Sequence, residues 1–163
     1  MIKIGLLSDT HSYIDDKMLV FLEKVDEIWH AGDIGSYEVI ERLNNVAKVR
    51  AVYGNIDNNI IRQEFNANEV FNLEDIPVYM THIGGYPDRY APRVKNKIIK
   101  ERSKIFISGH SHILKVIYDK KLNCLHLNPG AAGKSGFHTV RTMIRFEIDN
   151  TNIQNLEIWE HKR

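Results

Sequence analysis

Seven side chains with cation-binding chemistry stand at five places where a short apolar run gives way to polar residues. Asp9 and His11 follow the run at 2–7, and Asp33 follows the run at 27–31 through Gly32. Asn55 follows 49–53 through Gly54, and His82 closes 78–81. His110 and His112 follow 105–108 through Gly109. Taken singly, most have an ordinary explanation. Asp33 can cap a turn or a helix, Asn55 can be a left-handed turn residue, and His82 can be a buried, hydrogen-bonded imidazole. The pair in Gly109-His110-Ser111-His112 is harder to dismiss, because two imidazoles on one tight loop are costly to place without a ligand. Ligands of α/β proteins collect at the carboxyl ends of strands. The coincidence of seven such groups at five strand ends points to one shared site.

The residue types narrow what that site binds. No cysteine is among them, which disfavours a closed structural zinc site. Four His, two Asp and one Asn suit two borderline divalent ions, Mn²⁺, Fe²⁺, Zn²⁺ or Ni²⁺, rather than Ca²⁺. Two such ions carry four positive charges. Asp9, Asp33 and one hydroxide subtract three, leaving one for an anionic substrate such as a phosphate ester. Metal pairs about 3.5–4 Å apart activate water and hold both oxygens of an in-line displacement.

The elements that must position these residues are legible as alternating patterns. A strand at 2–7 precedes a helix at 16–25, capped by Asp15 or Asp16, with Leu19, Leu22 and Val25 as its apolar stripe. A strand at 27–31 precedes a helix at 37–45, where Ser36 is the N-cap and Val39, Ile40 and Leu43 face the core. A third strand follows at 48–53. This β-α-β-α-β beginning predicts parallel strands with right-handed crossovers. Strands at 69–73 and 77–82 then precede a helix at 92–102, opened by Pro92. Five strands follow closely, at 105–109, 114–118, 122–127, 141–148 and 153–159, the last two joined by a turn at 149–152. The expected fold class is α/β, with two mixed β-sheets packed face to face and helices outside.

At 163 residues the chain has the length of a single domain over 1–163, able to bury about 68–70% of its unfolded surface without disulfides. A net charge of +1 argues against a dedicated nucleic-acid or membrane binder. The basic segment containing Lys95, Lys97, Lys100, Arg102 and Lys104 reads as a solvated helix face. The lone Cys124 fits a reducing compartment and a core position. No basic and apolar leader follows Met1, and no run approaches the roughly 18–20 apolar residues of a membrane span. The expected location is cytoplasmic.

The ordered set Asp9-Thr10-His11, Gly32-Asp33, Gly54-Asn55, Thr81-His82 and Gly109-His110-Ser111-His112, with Asn128-Pro129-Gly130 later, resembles the calcineurin-like metallophosphoesterases. Within them it is most similar to the small, single-domain YfcE-like phosphodiesterase branch. The resemblance spans nearly the whole chain and implies an αββα sandwich. It implies one ion on Asp9, His11 and His112, a second on Asn55, His82 and His110, and Asp33 shared by both. Asp33, Asn55 and His82 are then also the catalytic residues. Mn²⁺ is the first expectation for the metal. Hydrolysis would proceed by direct attack of a hydroxide held between the ions, with Ser8, Ser108 and Ser111 as turn residues rather than nucleophiles. The implied substrate is a small phosphodiester or nucleotide-like ester, and relatives of this kind often form homo-oligomers. The same fold also serves as the retromer scaffold subunit, which works by binding partners. A phosphomonoesterase or nuclease would use the same site.

Two departures from the family pattern stand out. Many members follow Gly-Asn with a histidine that assists the leaving group, and here that position is Ile56. Asp57, next along, is expected to orient a ligand histidine. The stretch 83–93, with two glycines, two tyrosines and two arginines, is either a substrate-facing lid or an ordinary loop. His30 reads as structural, His126 as facing away from its apolar neighbours, His138 as a remote candidate for substrate or proton contact, and His161 as tail.

Overall fold

Both faces of the leading strands are apolar, and this forces helices onto one face and a second sheet onto the other. In the computed structural model, which describes residues 1–163, β1 (Ile2–Leu7), β2 (Glu27–His30) and β3 (Lys48–Ala51) lie parallel. The long hairpin β11 (Val140–Asp149) and β12 (Asn152–Lys162) extends this sheet antiparallel to β1, giving the order β12-β11-β1-β2-β3. The second sheet is built from β4 (Asn68–Leu73), β5 (Ile76–Thr81), β8 (Ile105–Ile107), β9 (Leu114–Asp119) and β10 (Cys124–Pro129), in the order β4-β5-β8-β10-β9. Its central strands β5, β8 and β10 run parallel. A two-stranded hairpin, β6 (Gly85–Tyr86) and β7 (Arg89–Tyr90), stands apart from both sheets.

Alternation along each strand sorts side chains into three cores. Ile4, Leu6 and Trp29 from one sheet meet Val78, Met80, Ile105 and Ile107 from the other, all fully buried. On the outer side of the first sheet, Leu7 and Ile28 pack with helix α1 (Asp16–Leu22) through Met18 and Leu22, and with α2 (Tyr37–Asn44) through Val39, Ile40 and Leu43. On the outer side of the second, Tyr79, Phe106 and Cys124 pack with Val94 and Ile98 of α4 (Val94–Glu101). Each fully buried aliphatic side chain contributes about 1.5–3 kcal/mol, so the central layer holds the two sheets in one relative position. The result is the expected pair of mixed sheets with helices outside.

Boundaries shift for identifiable reasons. Asp15 caps α1 by accepting from the Met18 amide at 2.9 Å, but the helix stops at Leu22, where Glu23 turns extended and Lys24 takes φ 66°. Ser36 has N-cap backbone geometry without a side-chain bond. Helix α4 starts at Val94 rather than Pro92, after the left-handed Arg93 (φ 71°). A short helix α3 (Asn59–Glu64), capped by the Asn58 side chain on the Ile61 amide, has too few residues to show periodicity in sequence. The β6–β7 hairpin occupies the stretch read as lid or loop.

Candidate metal centre

The parallel strands β1, β2, β3, β5 and β8 all finish at the same edge of the sandwich, and the seven residues singled out in sequence lie just past those ends. The backbone there is unusual. Asp9 (φ 54°), His11 (45°), Asp33 (55°), His110 (68°) and His112 (58°) are all left-handed. Non-glycine residues enter this region at a cost of about 1–2 kcal/mol each. Such conformations persist where surrounding structure over-determines them, and they cluster at functional sites.

Two sets of three side chains bring one ligand atom each within 4.8 Å of the others: Asp9, His11 and His112, and Asp33, His82 and His110. Asp9 is held by one oxygen and offers the other. Its Oδ2 accepts from Ser8 Oγ at 2.6 Å and from the His110 amide at 3.1 Å. Its Oδ1 lies 3.2 Å from His112 Nε2 and 4.0 Å from His11 Nε2. Asp33 reaches into both sets, with Oδ2 3.4 Å from His11 Nε2 and Oδ1 3.3 Å from His82 Nε2. Asn55 Oδ1 sits 3.1 Å from both His82 Nε2 and His110 Nδ1. His82 Nδ1–H donates to the Ala31 carbonyl at 2.7 Å, which leaves the Nε2 lone pair facing the site in the neutral ring.

The donor set fits divalent cations on grounds of satisfaction as well as type. Asp9 Oδ1 and His11 Nε2 are buried and have no hydrogen-bond partner. Each such orphan costs about 1–3 kcal/mol, a penalty that a cation between them removes. The titration behaviour has the same sense. Burial opposes the Asp33 carboxylate, yet the hydrogen bond and charge of His82, the Ile56 amide and the charge of His11 together hold it below the usual range. Burial likewise opposes the charged His82 ring, and the Asp33 hydrogen bond with the charges of Asp9 and Asp33 outweighs it, raising the imidazole. The site attracts positive charge.

Close approach of two loops explains the Gly-Asn pair. A Cβ on Gly54 would stand 2.0 Å from Asp33 Oδ1, and one on Gly32 (φ 96°) would meet the His82 ring at 2.6 Å. Beneath them, the Gly32 amide donates to His30 Nδ1 at 3.2 Å. His30 Nε2–H donates to Thr10 Oγ1 at 3.0 Å, and Thr10 donates to the Ile34 carbonyl at 2.8 Å. Burial pushes His30 down to about 4, so it is a neutral strut. Asp57 has a different role from the one expected. It hydrogen-bonds to no histidine and instead accepts backbone amides from Gly54 (2.7 Å), Gly35 (2.8 Å) and Ile34 (3.2 Å), tying the Asp33 loop to the Asn55 loop. Asn128 does the same for the histidine loop, donating to the Gly109 carbonyl at 2.9 Å and to Ser111 Oγ at 3.1 Å.

Of the other histidines, only His138 comes near. Its ring centroid is 5.2 Å from that of His112, and its Nε2–H donates to the Gly133 carbonyl at 2.8 Å. His126 is buried on the helix side of the second sheet, stacked on Phe106. His161 is half-buried, stacked on Trp159 beside Lys17. Ile56 is 44% exposed and contributes only its amide, which donates to Asp33 Oδ1 at 3.1 Å. Arg62 was not singled out in sequence, and no local signal marks it. From α3 it donates to the Asp57 carbonyl at 2.7 Å and the Asn55 carbonyl at 3.2 Å, fixing the turn that carries Asn55. A cleft of 320 Å³ runs from Asn55 and His82 past Tyr53 and Arg62.

Comparisons with known proteins bear on the family and the fold. The family model of the calcineurin-like phosphoesterase superfamily domain matches residues 2–151. A probable metallophosphoesterase of Methanocaldococcus jannaschii is 35% identical over 136 residues, covering 78% of this chain and 67% of that protein. Among solved structures, a Vps29 variant of Entamoeba histolytica superposes with a TM-score of 0.79 at 17% identity, over 99% of both chains. A novel archaeal phosphodiesterase superposes with a TM-score of 0.72 at 24% identity, over 97% of this chain and 100% of that one. At these identities the two structures attest to the fold alone.

Proposed function

We propose that this chain, which belongs to the calcineurin-like phosphoesterase superfamily, hydrolyses a phosphate diester at a pair of bound divalent ions. The observation that carries the reading is Asp33, whose two carboxylate oxygens stand 3.4 Å and 3.3 Å from one histidine of each ligand set. Asp9, His11 and His112 would hold one ion, and His82, His110 and Asn55 the other, with Asp33 shared. A nitrogen and oxygen set without thiolate suits Mn²⁺ first, with Zn²⁺, Fe²⁺ and Ni²⁺ as alternatives. When bound, the ions supply hydroxide from water at neutral pH and neutralise charge on the phosphoryl oxygens as the bond to the leaving oxygen breaks.

The chain's own residues prepare the geometry. The Ala31 carbonyl takes the His82 Nδ1 proton and so turns Nε2 towards the site, and Ser8 with the His110 amide keeps one Asp9 oxygen aimed inward. The Ile56 amide orients Asp33, while its side chain has no proton to give, so the leaving group draws its proton from solvent. A residual charge of one positive unit matches a singly charged diester better than a dianionic monoester. The single, buried Cys124 fits cytoplasmic residence.

Metal analysis of the purified protein, with bis(4-nitrophenyl) phosphate and 4-nitrophenyl phosphate as substrates, tests the reading. Two ions per chain, loss of diester hydrolysis on chelation and its recovery with Mn²⁺ are expected. Activity confined to the monoester would overturn the diester preference, and full activity in Asp33→Asn or His110→Ala would overturn the site. The scaffold alternative has only architectural likeness behind it, and partner binding has no need of seven convergent ligands.

A further inference from the structure

We propose that Arg89 and Lys115 form an anion-holding subsite beside His110, which selects diesters carrying a second anionic group on one ester arm. The inference rests on the phosphodiesterase reading and adds to it a substrate class. The segment after His82 is a fixed wall. Gly85 pairs with Tyr90 and Tyr86 with Arg89, the Ala91 amide donates to the Gly84 carbonyl at 3.0 Å, and Ser108 Oγ donates to the Gly85 carbonyl at 3.2 Å. That last bond ties the β6–β7 hairpin to the end of β8, two residues before His110.

Between this wall and the histidine loop lies a cleft of 220 Å³, whose lining includes Tyr86, Arg89, His110, Ser111, Lys115 and Asn128. It opens directly onto His110, an exposed residue, so a group seated there is continuous with one held at the metal centre. The cleft has two cationic side chains and no acidic one. The hairpin's acid, Asp88, is taken up by Lys121 at 2.7 Å. Neither Arg89 nor Lys115 forms an ion pair. Lys115 Nζ rests 4.3 Å over the Tyr86 ring, which positions the ammonium without cancelling its charge. Two cations without ion-pair partners line one small cleft, and an Arg fork with an ammonium is suited to a carboxylate or phosphate. The volume admits a short charged arm and is below that of a pocket for a drug-sized ligand.

Two matched pairs of probes test this with the Mn²⁺-loaded protein. Calorimetry compares phenylphosphonate with 4-carboxyphenylphosphonate, and kinetics compares 4-nitrophenyl phenyl phosphate with its 4-carboxyphenyl counterpart. The carboxylated probe of each pair is expected to show a Kd or KM lower by roughly tenfold. That ratio should fall towards one in Arg89→Ala/Lys115→Ala and return in the charge-conserving Arg89→Lys/Lys115→Arg. Lys97→Ala, on α4 outside the lining of this cleft and paired with Glu101, should keep it. A ratio near one in the natural protein, a ratio kept by the double alanine variant, or a ratio lost in Lys97→Ala overturns the subsite. Hydrolysis of both diesters without discrimination sinks the subsite and leaves the phosphodiesterase standing. Calorimetric discrimination without hydrolysis of either does the reverse.

Discussion

Gly54→Ala tests the proposed sharing of Asp33 by forcing it away from the turn that carries Asn55. Gly54 is absent from the left-handed glycines, so alanine is free to adopt its backbone and the effect is one of space alone. The added Cβ would lie 2.0 Å from Asp33 Oδ1, 2.3 Å from the Asp33 nitrogen and 2.8 Å from its Cγ. Ordinary contact begins near 3.4 Å, so Asp33 and the Gly54 turn must separate by about 1.4 Å at the oxygen. A side-chain rotation cannot relieve this, because a backbone nitrogen is among the clashing atoms and Asp57 ties both loops together. Displacement on the scale of 1 Å costs about 10²-fold where geometry governs catalysis. We expect kcat/KM for bis(4-nitrophenyl) phosphate to fall by about that factor, and bound Mn²⁺ to fall from two ions per chain to one or fewer. Overpacking should also cost about 1–3 kcal/mol in urea unfolding. Gly5→Ala is the matched control. Its Cβ would meet Leu22 Cδ2 at 2.4 Å on the α1 side, where it should cost stability and leave metal content unchanged. Two ions per chain and activity within about threefold of the natural protein in Gly54→Ala would refute the bridging role proposed for Asp33.

Other substitutions probe the supporting shell. Asp57→Ala leaves three backbone amides without their acceptor and should lower unfolding free energy by about 3 kcal/mol, measured with urea; a loss below about 1 kcal/mol would mean that water replaces the carboxylate. Burial pushes His126 down to about 4, against the pull of the Phe106 carbonyl, so the unfolded chain takes up its proton first as pH falls. Stability from this ring is therefore intact above about 6.5 and is lost towards pH 4, by roughly 3 kcal/mol. A His126→Gln protein should show that much less acid sensitivity between pH 7 and 4, and coincident pH profiles would contradict it. Ile56→His keeps the amide bond to Asp33 and adds a proton donor at the mouth of the site. It should raise hydrolysis of diphenyl phosphate by about tenfold or more while changing bis(4-nitrophenyl) phosphate little, and equal effects on both would rule out leaving-group assistance.

The strands and the ligand candidates were legible in sequence because each depends on local pattern. Apolar runs such as Ile2–Leu7 must be strands, and Asp9, Asp33 and His82 are conspicuous where those runs end. What escaped depends on neighbours remote in sequence. Asp57 faces amides 22 and 23 residues earlier, so nothing around it distinguishes a clamp on two loops from a partner for an imidazole. Arg62 sits on a six-residue helix, too short for a hydrophobic stripe. The hairpin from Gly85 to Tyr90 is specified by Gly85 (φ 71°) and Asp88 (φ 69°) rather than by alternation, which two-residue strands cannot show. Alternation turns His126 away from Leu125 and Leu127, but only the packing of α4 reveals that the other side is also dry.

Each ligand set draws on both sheets. Asp9 and His11 follow β1 of the first sheet while His112 follows β8 of the second, and Asp33 follows β2 while His82 and His110 follow β5 and β8. Between the two sheets, cohesion comes mainly from non-directional apolar contact, with a few hydrogen bonds at this edge such as His82 to Ala31 and His110 to Asp9. A pair of ions seated there would act as rivets across a seam, converting affinity for metal into resistance of the sheets to sliding or parting. Metal loading should then protect slowly exchanging amides at the ends of β2 and β8 together, coupling halves of the chain that share few hydrogen bonds. The chemistry would thus be housed where its cofactors also serve as the sandwich's cross-braces.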